Sequence, residues 1–141
     1  MRRFVTLLVA AAIILVPASS GFARAGNLSV TVTYTGKGKV DDTHEIWVAL
    51  FTDPDMNDKP FAVEAIHKNG GTAVFKNVTA DSAYVGYAYD EKGDWDPQAG
   101  PPPQGTPLGA YNVDGKGPTL VKITAATKIK GTFDDSRRAM Q

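Results

Sequence analysis

The chain has 141 residues, 15 basic and 15 acidic side chains, and no cysteine. The missing thiols exclude disulfides, a thiolate nucleophile, cysteine-ligated zinc or iron–sulfur clusters, and a lipid anchor on cysteine. The lysines are scattered singly, which excludes the clustered basic surface that nucleic acid or anionic lipid requires.

The first element is a leader. Met1-Arg2-Arg3 precedes an apolar run from Phe4 to Val16, broken only by Thr6, and small residues end in Ala23-Arg24-Ala25. A basic start, a short apolar run and an A-x-A end predict a secretory signal peptide over residues 1–25. The alternative is an uncleaved anchor, but a membrane span needs about 20 apolar residues. Export to the periplasm or the extracellular space follows, with no membrane association after cleavage. Removing Arg2, Arg3 and Arg24 leaves 12 basic and 15 acidic side chains, a net charge of −3. The remainder suits one domain over residues 26–135, followed by a polar tail at 136–141.

Asn27 to Thr35 alternates Leu28, Val30, Val32 and Tyr34 with Ser29, Thr31 and Thr33, the pattern of a half-buried strand. Glu45 to Phe51 is apolar on both faces, with Ile46, Val48 and Leu50 opposed to Trp47, Ala49 and Phe51. That suits a central strand covered on each side. Thr52 to Pro60 is a loop, Phe61 to His67 a third strand, and Lys68-Asn69-Gly70-Gly71 a hairpin-type turn. Thr72 to Val78 and Ala83 to Tyr89 follow as strands. The stretch from Asp90 to Gly105 is too rich in proline and glycine for a ladder, and loops of this length are commonly functional. Short strands are expected within Thr106 to Val113 and Thr119 to Thr124. Thr127 to Phe133 closes the series as an edge strand guarded by Lys128 and Lys130. Seven or eight short strands without a helix predict an all-β fold, a single antiparallel β-sandwich of the immunoglobulin or transthyretin-like kind.

Three stretches carry a resemblance: Glu45 to Phe51, Gly71 to Val78, and Ala83 to Asp94 followed by the Gly/Pro-rich loop and Leu108-Gly109-Ala110-Tyr111. The chain resembles a family of uncharacterised small bacterial exported β-sandwich domains, related to transthyretin-like and carboxypeptidase-regulatory-like domains. The resemblance implies the fold and no activity. Transthyretin-like hydroxyisourate hydrolases end in Tyr-Arg-Gly-Ser, whereas this chain ends Arg137-Arg138-Ala139-Met140-Gln141.

Two constellations point to a site. Asp90, Asp94 and Asp96 offer oxygen ligands to a hard cation, so calcium is a candidate cofactor. The spacing is not an EF-hand: counted from Asp90, Lys92, Trp95 and Pro101 stand where that loop needs an oxygen ligand, glycine and glutamate. The other reading of these acids is a solvated turn. Trp95, with Tyr89 and Tyr111, could contact a protein or glycan partner; the competing reading places such aromatics in the core. His44 and His67 lack a same-face carboxylate neighbour in sequence. No hydrolase, phosphate-loop or dinucleotide motif occurs. The expectation is a monomeric, non-enzymatic binding or structural module that contacts its partner through the 90–105 loop, backed by the 52–60 loop. A calcium-binding sandwich and a small hydrolase without a recognised motif are the alternatives.

Overall fold

The computed structural model describes residues 25–140; the leader expected over residues 1–25 lies, but for Ala25, outside them. The described residues form eight strands and no helix. They are β1 (Gly26–Tyr34), β2 (Ile46–Phe51), β3 (Ala62–Ile66), β4 (Thr72–Val78), β5 (Ser82–Tyr89), β6 (Leu108–Ala110), β7 (Val121–Lys122) and β8 (Thr127–Phe133). A three-stranded sheet runs β4-β1-β8, and a five-stranded sheet runs β3-β2-β5-β6 with β7 added to the start of β5. The expected all-β sandwich is the fold. Its pairings are antiparallel except β1 with β8, which run parallel from Leu28/Thr127 to Tyr34/Phe133.

Alternation decides what lies between the sheets. Leu28, Val30, Val32 and Tyr34 of β1 face Ile46, Val48 and Leu50 of β2 and Ala83, Val85, Tyr87 and Tyr89 of β5 in one buried cluster. Ala73, Phe75 and Phe133 complete it. Between the pairs Gly26/Val78 and Leu28/Phe75, β4 carries one extra residue. Asn77 takes the positive φ of 56° there, and Val78 still turns inward. The parallel strand β8 is admitted by a missing side chain: a Cβ on Gly131 would collide with the Tyr87 hydroxyl and ring.

Edge strands are blunted by charge. Glu64 lies opposite Val48, on the inner face of β3, yet is exposed. Lys128 and Lys130 point outward from β8. Both devices discourage further strand addition.

Two strands are shorter than their sequence suggests. The stretch 106–113 pairs only from Leu108 to Ala110, because Pro107 has no N–H and the Asn112 carboxamide folds the chain back by accepting from Gly115 N at 2.8 Å. In 119–124 only Val121–Lys122 pair, because the Thr127 hydroxyl takes the Thr124 amide at 2.9 Å. The end of the chain is not a free tail. Leu108 N donates to Arg137 O, Ala139 N to Thr106 O and Gly105 N to Ala139 O, each at 2.9 Å.

Candidate functional site

One end of the sandwich gathers the loops that follow β1, β3, β5 and β8. The 90–107 loop is folded by its first residue. Asp90 is buried, and its Oδ1 accepts from Gly93 N at 3.0 Å while Oδ2 accepts from Trp95 N at 3.2 Å. Such carboxylate-to-amide bonds build a compact turn without a ladder. Gly93 at φ 75° lies against the Thr43 carbonyl, where any side chain would collide. The turn swings Trp95 over the five-stranded sheet, edge-on to Trp47 with ring centroids 6.4 Å apart. The Trp95 indole N–H is fixed by Gly100 O at 3.1 Å.

Backbone amides engage two of the three acidic residues. Both Asp90 oxygens are committed to backbone amides, and Asp96 Oδ1 accepts from Gln98 N at 2.9 Å. Asp94 is exposed. Among the described residues, no three His, Cys, Asp or Glu side chains converge as a metal-ligating group.

Beside the turn lies a small cleft of about 140 Å³, bounded by Asp90, Glu91, Asp94, Gly105 and Arg138. Arg138 closes it, donating to Glu91 Oε2 at 2.8 Å and to Gly105 O at 2.7 Å, with Asp135 at 3.4 Å. Glu91 also borders a broader depression of about 340 Å³, shared with Lys37, Lys39, Asp41 and His44. Charges of both signs mix throughout, so neither hollow selects one sign of ligand.

His44 has the look of a catalytic group and lacks its geometry. Asp41 Oδ1 lies 2.9 Å from His44 Nδ1, and the Thr43 hydroxyl lies 3.0 Å from that same nitrogen. A nucleophile–base–acid relay needs the hydroxyl and the carboxylate on opposite ring nitrogens. Here Asp41 closes a local turn. The His44 backbone N–H, then its ring, and then Thr43 hold the Asp41 carboxyl well below the usual range. His67 pairs with Glu45 at 3.3 Å, a neighbour supplied by β3 lying beside β2, which no sequence separation shows. Ser136 bonds Asp134 in another local turn.

The aromatics divide. Tyr89, expected at the contact surface, is a core residue instead. It is 2% exposed, stacks on Tyr34 at 4.3 Å, and donates its hydroxyl to Lys39 O at 2.8 Å. The strand alternation that placed it with Val85 and Tyr87 already implied this face. Tyr111 follows β6 opposite Val85 and packs, half-buried, against the core cluster. Of these three, Trp95 is the one on the outer side of the sheet, against Trp47.

That outer side is the most distinctive surface of the molecule. The register aligns Val63 and Ala65 of β3, Trp47, Ala49 and Phe51 of β2, Tyr84, Gly86 and Ala88 of β5, and Leu108 and Ala110 of β6. None of these aligned side chains is charged; at the far end of β5, Ser82 and its β7 partner Lys122 bring polar groups to the same side. The 90–107 loop covers its Trp47 end. The 52–60 loop leaves from its Phe51 end and brings the Met56 sulfur over Gly86. The two loops singled out in the sequence therefore start at opposite ends of β2 and reach the same face. Trp47 Nε1, beneath this cover, is buried without a hydrogen-bond partner among the described residues. Met56 and Arg138 had no sequence signal: one is a lone apolar residue in a polar loop, and the other sits in what reads as a tail.

A scan against protein-family models, a search of curated proteins and a search of solved structures each find no match to this chain.

Proposed function

We propose that the protein is an exported, monomeric, non-enzymatic binding or structural module whose contact surface is the outer face of the five-stranded sheet, centred on Trp47 and Trp95. The single observation that carries this reading is the unbroken apolar register on that face across four adjacent strands. A sandwich sheet that needs only one buried face shows polar residues on the other. An apolar patch rimmed by loops marks an interaction surface more often than chance exposure. Phe61, 43% exposed at the end of the 52–60 loop, extends the patch.

The chemistry of the face favours a protein partner over a glycan. A sugar ring stacked on tryptophan also needs directed polar groups around it. Around the two tryptophans the strand positions offer none; the Tyr84 hydroxyl, Ser82 and Lys122 lie toward the other end of the sheet. An apolar segment of another protein needs only shape and burial.

The test is site-specific photo-crosslinking in the producing cell. A photoreactive residue at position 95 or 61 is expected to yield one discrete adduct, while the same residue at position 130, on the other sheet, yields none. Equal adducts at all three positions, or none at any, would sink the proposal. A calcium site is a separate outcome: thermal unfolding would then shift upward with millimolar calcium, and Asp94→Asn would abolish the shift.

A further inference from the structure

The bond between Ala25 and Gly26 joins the end of the leader motif to the first residue of the fold, with nothing between. Ala25 is exposed and lies outside any strand. Gly26 is buried, begins β1 and pairs with Val78. The next amide, Asn27 N, donates to Thr124 O at 3.0 Å. A Cβ on Gly26 would sit 2.5 Å from the Thr124 carbonyl oxygen and 2.7 Å from an Ile123 methyl. Leu28, fully buried, fixes the strand two residues on.

A peptidase that reads an A-x-A end must hold the chain extended in its own cleft on both sides of the scissile bond. In the folded domain the residues after that bond are already a strand, walled by Thr124 and Ile123. Cleavage of the folded chain then requires the start of β1 to leave the sheet, and its rate falls with the population of that opened form.

We propose that removal of the leader and docking of β1 compete for the same residues, so that processing after Ala25 precedes closure of the sandwich. A precursor that folds first is locked against cleavage. The inference rests on the exported reading. It adds an order of events, and it assigns Gly26 two roles, as the first mature residue and as a position where the fold admits no side chain.

The test compares three full-length precursors in detergent with a purified bacterial signal peptidase. The first is the folded wild-type chain. The second carries Val30→Asp, which places a charge in the core and prevents folding. The third is folded and has six Gly/Ser residues inserted between Ala25 and Gly26. The Val30→Asp and spacer chains are expected to be cut after Ala25 at similar rates, and the folded wild type roughly tenfold or more slower. Equal rates for the folded wild type and Val30→Asp would overturn the inference. So would a folded spacer chain that stays resistant, since protection would then lie away from the junction. If neither Val30→Asp nor the spacer chain is cut after Ala25, the exported reading itself fails and the inference goes with it. Amino-terminal sequencing of the products tells these outcomes apart.

Discussion

The two sheets share one core and differ on their outer faces, one mainly polar and the other mainly apolar. On the three-stranded sheet the outward residues are Ser29, Thr31 and Thr33 of β1, Thr72 and Val74 of β4, and Lys128, Lys130 and Thr132 of β8, with Val74 the one apolar side chain among them. They are half-buried or exposed, and Thr31 and Thr72 exchange a hydroxyl hydrogen bond of 2.7 Å. On the five-stranded sheet the corresponding positions are valine, alanine, tryptophan, phenylalanine, tyrosine, glycine and leucine, with Ser82 and Lys122 at one end, and two loops lie across them. A sandwich needs only one buried face per sheet. The second apolar face therefore answers to a further requirement, either the loops alone or the loops together with a partner.

The largest expected effect breaks this comparison directly. Trp47→Ala and Thr31→Ala sit on the central strands of the two sheets, each pointing outward. Trp47→Ala should cost about 2–3 kcal/mol, below the full-core range because the ring is only partly buried. Thr31→Ala should stay within about 0.5 kcal/mol. Urea unfolding of both variants measures this. Equal costs would mean that the loops contribute no cover and that the two outer faces are energetically alike.

Alkali probes the shared inner face. Burial, with Asp135 and Glu91 nearby, pushes the Tyr34 phenol up to about 12, and burial raises Tyr87 and Tyr89 as well. An unfolded tyrosine ionises near 10. Between these values the unfolded chain releases protons that the folded chain keeps. Stability is therefore complete below about pH 10 and declines as pH rises through the folded values. Tyr34→Phe should move the alkaline unfolding midpoint to higher pH, followed by circular dichroism. An unchanged midpoint would show that Tyr34 is not the group that couples ionisation to unfolding.

Gly131→Ala comes next, at about 1–3 kcal/mol, because the new methyl would meet the Tyr87 hydroxyl and ring. That hydroxyl is buried without a partner among the described residues. Tyr87→Phe alone should be near neutral, since it removes an unsatisfied group. Combined with Gly131→Ala, it should recover part of the loss, measured as non-additivity in a double-mutant cycle. Strict additivity would place the glycine's role in the backbone instead of in the Tyr87 contact.

Much of this was legible in the residues, and the comparison shows why. Alternation in Asn27 to Thr35 and the two apolar faces of Glu45 to Phe51 gave both the strands and the different surroundings of the two sheets. Side-chain periodicity is a local property, so it survives reading one segment at a time. Tyr89, at the end of its strand, counts in the sequence as a candidate contact residue although its alternation with Val85 and Tyr87 places it in the core. There the adjacent acidic turn outweighed the pattern. Tyr34 stacking on Tyr89, β8 running parallel to β1, and Arg138 closing on Glu91 depend on residues tens of positions apart. Nothing local encodes them. The Asp90 turn lies between these cases: its residue types announced a turn, but whether the carboxylates faced an ion or their own amides was a matter of orientation.

Trp95→Ala sharpens the comparison further. It removes one edge-on aromatic contact with Trp47, expected at about 1 kcal/mol. The same variant should abolish crosslinking from position 61 if the apolar face is a contact surface. Loss of stability with unchanged crosslinking would leave the ring as loop packing only.

The smallest expected effect on stability lies on the polar sheet, and it tests why that sheet stays polar. β8 pairs with β1 on one side, while its other side is an edge of the three-stranded sheet. It is seven residues long, enough to template another chain, and carries outward Lys128 and Lys130. Replacing both lysines by threonine keeps strand propensity and should change stability by no more than about 0.5 kcal/mol. Sedimentation should nevertheless show stronger concentration-dependent association than the wild type, because a charge barrier acts between molecules and not within one. If the double variant stays monomeric, the edge is protected by its shape, and the polar outer face is a matter of solubility alone. Association with no loss of stability would assign the two outer faces opposite tasks: one kept apolar to make contact, the other kept charged to prevent it.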